Sequence, residues 1–137
     1  MIHDYADIAE YILKNYKNKV VEVGVGGLPH VALALKDMIN VIVTDIKEQK
    51  HDGLEFIVDD IFSPDMDIYK GAALIYSIRP PIDMQEAIAR AAKNVGADLL
   101  IRPFGNEKTE LGRSFRLCSV VNYKKARFFL YKNDSYL

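Results

Sequence analysis

The chain has 137 residues, half of them hydrophobic and 27% charged, with a formal net charge of −1, one cysteine and no tryptophan. That length suits one domain with a real core and leaves little room for a separate substrate domain. A lone cysteine excludes an internal disulfide and a multi-cysteine metal site, no apolar run reaches the roughly 20 residues a bilayer crossing needs, and the opening MIHDYADIAEY is acidic rather than signal-like, so a soluble cytoplasmic protein is expected.

Tyr5, Ile8, Ile12 and Tyr16 recur at helical spacing behind Asp4, which can cap the turn, and predict an amphipathic first helix. A β-branched strand follows over 19–23, then a helix over 29–38 whose proline suits the first turn. Further strands are expected over 41–44, 54–58, 72–76 and 98–101. Asp83 with Glu86 three positions on reads as a capping box, and Met84, Ala87, Ile88, Ala91 and Val95 make an apolar stripe that Gly96 ends. Residues 115–121 and 126–131 read as a closing β-hairpin around NYKK, with Cys118 expected as a buried, inert thiol.

Alternating β and α elements imply a mostly parallel sheet wound in right-handed crossovers. The links over 45–53 and 59–71 are barely as long as the dozen residues a helical crossover requires, so two crossover helices should be stunted or absent. One face would then be covered mainly by the helix after the fourth strand, and a homodimer interface is expected to cover the deficit.

The chemistry-bearing feature is VVEVGVGG over 20–27, followed nineteen positions after Gly26 by Asp45 at the end of VIVTDI. Glycines let the backbone approach a ligand, and a carboxylate ending the second strand can take both ribose hydroxyls. A dinucleotide fingerprint from Gly24 would need glycine where Pro29 stands, which counts against NAD. Instead, Glu22 two positions before Gly24 makes E-x-G-x-G, which resembles motif I of class I S-adenosylmethionine-dependent methyltransferases. The usual third glycine falls at Leu28, with Gly27 displaced by one.

That resemblance implies that Gly24 and Gly26 flank the methionine part of the cofactor, with Glu22 and Gly27 also in the cofactor site, that Asp45 holds the ribose hydroxyls, and that Asp60 with Ile61 meets the adenine amino group and ring. A carboxylate such as Glu22 near an ammonium or sulfonium would be favourable in a partly dry cleft. Taken together, VEVGVGG, VTDI, DDIFSP and IYSIRPP are similar to a small archaeal family of uncharacterised proteins with a methyltransferase-like Rossmann fold. The fold class expected is therefore α/β, a minimal Rossmann-like methyltransferase fold in a single domain over 1–137, with a C-terminal antiparallel hairpin.

The fourth and fifth strands both end in arginine before proline, Arg79 in SIRPP and Arg102 in IRPFG. Proline drives the preceding residue to extended geometry, so both guanidinium groups are expected to project toward the crevice and clamp a phosphate or carboxylate. Surface pairs with Glu86 or Glu107 are the plain alternative. Ser77, Tyr76 and His30 are further acceptor-positioning candidates, Tyr76 doubling as a core residue and His30 as a surface one.

Charge is uneven along the chain. Residues 1–67 hold 6 Lys+Arg against 13 Asp+Glu, whereas residues 102–137 hold 8 against 3. Arg113, Arg116, Lys124, Lys125 and Arg127 among Phe115, Tyr123, Phe128 and Phe129 could bind RNA by phosphate contact and stacking, or form a solvated edge hairpin guarded by lysines. The reading that follows is a minimal methyltransferase using S-adenosylmethionine on an anionic acceptor, RNA or a phosphorylated small molecule. The alternative is a non-catalytic module binding a nucleoside ligand, S-adenosylmethionine or NAD.

Overall fold

The computed structural model describes residues 4–105, 111 and 114–133. In chain order the elements are α1 (Tyr5–Asn15), β1 (Lys19–Val23), α2 (His30–Leu35), β2 (Asn40–Asp45), β3 (Glu55–Val58), β4 (Leu74–Ile78), α3 (Ile82–Val95), β5 (Asp98–Arg102), β6 (Leu117–Tyr123) and β7 (Ala126–Lys132), with one 3-10 turn at Met66–Ile68. The strands form one seven-stranded sheet in the order β3-β2-β1-β4-β5-β7-β6. Strands β1 to β5 run parallel, and β7 joins β5 antiparallel before turning back into β6. Strand β1 lies between β2 and β4, so the chain reverses its winding direction beside it, the position at which open α/β sheets bind ligands.

Period-two alternation splits the core. Val21, Val23, Ile75, Leu99 and Ile101 face α3, whereas Val20, Val41, Val43, Leu74, Tyr76 and Leu100 face α1 and α2. On the first side, the alanine-rich stripe of α3 (Ala87, Ile88, Ala91, Ala92) lets the helix lie close to the sheet. Gly96 closes that helix with φ at 77° and its N–H on the carbonyls of Ala92 and Lys93, and Ala97 N–H adds a second bond to Ala92 O.

The two short links behave as their length requires. No helix forms between β2 and β3, and the β3–β4 link holds only the 3-10 turn. Phe56 and Ile57 on β3 are consequently only half-buried, and Val58 is 53% exposed.

Several local expectations are corrected. Helix α2 ends at Leu35 rather than at 38, because Met38 and Ile39 both turn back to the Leu35 carbonyl. The capping box at Asp83 does not form: α3 starts one residue earlier at Ile82 behind Pro81, which places Asp83 inside the first turn. Asp4 does precede α1, but its carboxylate makes no capping bond. Cys118 is exposed, because β6 is the outermost strand and its first four residues have little packed against them. No helix among the described residues is long and apolar enough to cross a membrane.

Candidate functional site

At the carboxyl ends of β1, β2, β3 and β4 lies a cavity of about 240 Å³. Its walls come from Val23 and Gly24 after β1, Thr44, Asp45 and Ile46 after β2, Asp59 to Phe62 after β3, and Ser77, Arg79, Pro80 and Pro81 after β4, with Met84 of α3 overhanging. The size falls near the lower end of ordinary ligand pockets.

The turn after β1 is tied to β2 by backbone and side-chain bonds. Gly24 and Val25 donate their N–H groups to the Thr44 carbonyl at 2.9 and 3.0 Å, and Thr44 Oγ1 donates to Glu22 O at 3.0 Å. Gly24 and Gly26 have φ of 72° and 51°, a left-handed conformation that side chains rarely adopt. Gly26 N–H donates to Asp45 Oδ2 at 2.7 Å, and His51 Nε2 lies 2.8 Å from Gly26 O, so the residue is held at both its N–H and its carbonyl. With the carbonyl as acceptor, Nε2 must carry the proton. Asp45 Oδ1 accepts a long 3.4 Å bond from Lys47 N–H and no other among the described residues.

After β3 the two aspartates divide their work. Asp59 is structural: its Oδ1 accepts from Asp65 N–H at 2.9 Å and its Oδ2 from the Tyr69 hydroxyl at 2.7 Å. Burial, then that bond to Asp59, pushes the Tyr69 phenol well up. Asp60 Oδ1 accepts from Phe62 N–H at 2.9 Å, a tight turn that carries Ile61 into the cavity floor and leaves Phe62 55% exposed at its mouth. The buried Ser77 hydroxyl donates to Val23 O at 2.7 Å, bridging the ends of β4 and β1 beneath the cavity.

Of the residues singled out from the sequence, Gly24, Asp45, Asp60, Ile61, Ser77 and Arg79 meet at this cavity. Gly26 reaches it through its bond to Asp45, while Gly27 is exposed and stands outside the lining. Glu22 lies elsewhere. Strand alternation turns it toward the α1–α2 side, where it is fully buried opposite Tyr76. Neither carboxyl oxygen has a well-formed hydrogen bond among the described residues, and burial pushes the group up to about 8, with the nearby Tyr76 hydroxyl easing it only in part. The Tyr76 phenol is pushed well up in turn, by burial first and by Glu22 second.

Arg102 is also placed differently from the expectation. Its guanidinium turns to the α1 side, where Nε donates to Asp4 Oδ2 at 3.0 Å and Nη1 to Pro103 O at 2.7 Å, so it faces a separate cavity beside the hairpin. An acidic residue ahead of α1 competes for it successfully because the pair is largely buried. Arg79 does line the cavity, yet its backbone is not extended: φ is 55°, with its N–H donated to Arg102 O at 2.7 Å. That interstrand bond at the end of the β4–β5 ladder outweighs the proline's preference. Glu86 pairs with Arg90, while Glu107 lies outside the described residues.

The hairpin is engaged with the rest of the molecule. Lys124 pairs with Glu10 at 2.7 Å, Lys125 N–H donates to Asp7 Oδ2 at 3.0 Å, and Lys132 pairs with Asp98 at 3.3 Å. Phe115, Phe128 and Phe129 are buried, and Tyr123 packs edge-on against Tyr11. The rings expected to stack on bases are therefore occupied; Arg113 lies outside the described residues. Tyr76 is a core residue, and His30 is a surface residue stacked on Tyr5.

Sequence reading missed Thr44, His51, Phe62 and Met84. Phe62 follows directly on Asp60-Ile61 and Met84 belongs to the apolar stripe of α3, so both had a faint signal. His51 had none, since its role depends on where the β2–β3 link folds back.

Comparison with known proteins agrees with this geometry. The model of the uncharacterised protein family UPF0146 matches residues 5–133, and the chain belongs to that family. Relatives include the UPF0146 proteins of Archaeoglobus fulgidus, 42% identical over 131 residues (94% of this chain, 95% of the relative), and of Methanothermobacter thermautotrophicus, 40% identical over 129 residues (91% and 92%). Among solved structures, a TehB-like SAM-dependent methyltransferase from Corynebacterium glutamicum superposes with TM-score 0.64 at 13% identity, covering 95% of this chain and 88% of that one. The N-terminal domain of EvdMO1 with SAH bound gives TM-score 0.59 at 12% identity, covering 98% and 68%. The fold is that of class I methyltransferases with a Rossmann-like sheet.

Two outcomes test the placements of Glu22 and Arg102. Below the ordinary carboxylate range Glu22 is neutral in both folded and unfolded chains. Above it the unfolded chain loses the proton while the folded one keeps it until about pH 8. Stability should therefore fall across that window by about 1.4 kcal/mol per pH unit from this group. Urea unfolding of Glu22→Gln should show a gain over wild type that is small at acid pH and reaches a few kcal/mol by pH 8. Asp4→Ala should cost roughly 3 kcal/mol of stability by leaving Arg102 uncompensated, without altering nucleoside affinity measured by calorimetry.

Proposed function

We propose that this protein is a minimal S-adenosylmethionine-binding methyltransferase acting on an anionic acceptor. The observation that carries this reading is the junction of Gly26 and Asp45, a left-handed glycine turn bonded at 2.7 Å to the carboxylate that ends the neighbouring strand. The residues present fit such a cofactor. Gly24 and Gly26 expose backbone in a conformation that leaves room above it, Asp45 Oδ1 can accept from the ribose, Asp60 has a carboxylate oxygen with no bond among the described residues, and Ile61 with Phe62 offers apolar contact to a base.

When bound, the cofactor would supply an already activated methyl group, so the protein need only orient the acceptor and exclude water. Pro80, Pro81 and Met84 make a dry wall at the β4 end, and Arg79 there is the residue available to an anion. The three aspartates along the cavity favour a cationic sulfonium. Glu22 contributes from beneath, as a neutral buried strut, rather than as a contact.

The second reading, a nucleoside-binding module without chemistry, is favoured by a specific feature: Ser77, at the position expected to orient the acceptor, spends its hydroxyl on Val23 O. An acceptor in the form of RNA finds little support in the hairpin, where Lys124 and Lys132 are paired with Glu10 and Asp98 and the rings of Phe115, Phe128 and Phe129 are buried. We further propose that a second copy covers the thinly clad β3 edge, where Val58 is left exposed.

Calorimetric titration should show binding of S-adenosylmethionine and S-adenosylhomocysteine, with NAD at least tenfold weaker. Asp45→Ala should weaken nucleoside binding by about 1.5 to 3 kcal/mol, as expected for loss of a charged acceptor; unchanged affinity would remove the ribose assignment. Light scattering at micromolar concentration should give a dimer mass, and a monomer would dispose of the second copy.

A further inference from the structure

One end of the cavity is built for something other than the nucleoside. Among the described residues Arg79 is the only basic side chain in its lining, which also holds Asp45, Asp59 and Asp60. Even so, its guanidinium forms no hydrogen bond or ion pair with any described residue, whereas Arg90 is paired to Glu86 and Arg102 to Asp4. The buried Nε is left without a partner. The group rests instead on the face of Phe104, 4.9 Å from the ring centroid. An arginine held over an aromatic ring, unpaired beside carboxylates, is presented to solvent-borne ligand rather than used to hold the fold.

The backbone below it is held against its own preference. A φ of 55° in a residue with a Cβ costs on the order of 1 kcal/mol, and the bond from Arg79 N–H to Arg102 O maintains it. Such strain aims the side chain along a direction that an extended pre-proline residue would not take.

Around this cation the surface is apolar. Ile46 and Phe104 are 62% exposed, Phe62 55% and Ile82 46%, and all four sit on segments that form or adjoin the cavity wall. They make a collar at the mouth of the cavity, the kind of exposed patch that marks a binding surface. A polyanion would fit poorly here: nucleic-acid affinity comes from neutralising several phosphates, and one arginine among aspartates neutralises one.

We propose, resting on the methyltransferase reading, that the acceptor is a small amphipathic acid, a single carboxylate held by Arg79 on an apolar body of about ring size that the collar covers. Arg79 and Phe104 then set specificity: the guanidinium takes the carboxylate in a charge-assisted, two-pronged pair, and the ring beneath keeps it planar and in place.

The test uses the full chain, with and without saturating S-adenosylhomocysteine, titrated with phenylacetate, its neutral counterpart 2-phenylethanol, and a short oligouridylate, while the Arg79 Nε–H resonance is followed by NMR. Phenylacetate should shift that resonance and bind about tenfold or more tighter than the alcohol, the range of a charge-assisted hydrogen bond. Arg79→Met should abolish the preference, and Phe104→Ala should weaken both ring ligands while S-adenosylhomocysteine binding persists. Equal binding of acid and alcohol, an undiminished preference in Arg79→Met, or displacement of phenylacetate by oligouridylate would overturn the proposal. If Arg79→Met does not fold by its melting curve, the wild-type resonance and the acid-to-alcohol ratio decide alone. Failure of S-adenosylhomocysteine to bind with the acid preference intact would sink the cofactor reading and with it the acceptor role, leaving Arg79 and Phe104 as an acid-binding site; the reverse pattern would sink only the acid site.

Discussion

The bond from Gly26 N–H to Asp45 is the constraint around which the site is organised. It closes the gap between two parallel strands at the level where both stop, and it forces the intervening peptide into a left-handed turn. His51 holds the carbonyl of the same glycine, so the turn is anchored from two sides next to the cavity that Gly24 and Asp45 line. Thr44 reinforces the arrangement by bonding to the backbone of β1 through both its carbonyl and its hydroxyl.

The same strand that carries the turn also carries an unpaired carboxylate in the core. Glu22 points away from the cavity, into the layer under α1 and α2, with the Tyr76 hydroxyl opposite. Burial of a carboxyl and a phenol that satisfy each other only in part costs stability, and burial keeps the carboxyl protonated well above its ordinary range. Strand β1 is hydrogen-bonded on both sides, to β2 and β4, which fixes the phase that turns Glu22 into this layer.

The two arginine-proline phrases, alike in sequence, end in opposite environments. Arg102 meets Asp4, which the first helix brings from 98 positions away, and becomes part of the fold. Arg79 meets no carboxylate, takes a strained backbone and rests on Phe104 at the cavity. Local sequence rules treat the two identically, since proline acts only on its neighbour; long-range pairing separates them. Lys124 of the hairpin is a parallel case, its ammonium drawn onto α1 by Glu10, while Asp7 takes the backbone N–H of Lys125.

Read without coordinates, the chain discloses its sheet, because hydrophobic alternation and turn chemistry are local properties written every few residues. The shed crossover helices were legible from link length alone, and the glycine turn with Asp45 from spacing, since neighbouring parallel strands carry their carboxyl ends to the same edge of the sheet. Side-chain destinations were not legible. Whether Glu22 faces ligand or core depends on the phase of β1 relative to its covering helices, and whether an arginine is presented or paired depends on which acid arrives from elsewhere in the chain. Those are decided by packing across tens of residues, and only the folded arrangement supplies them.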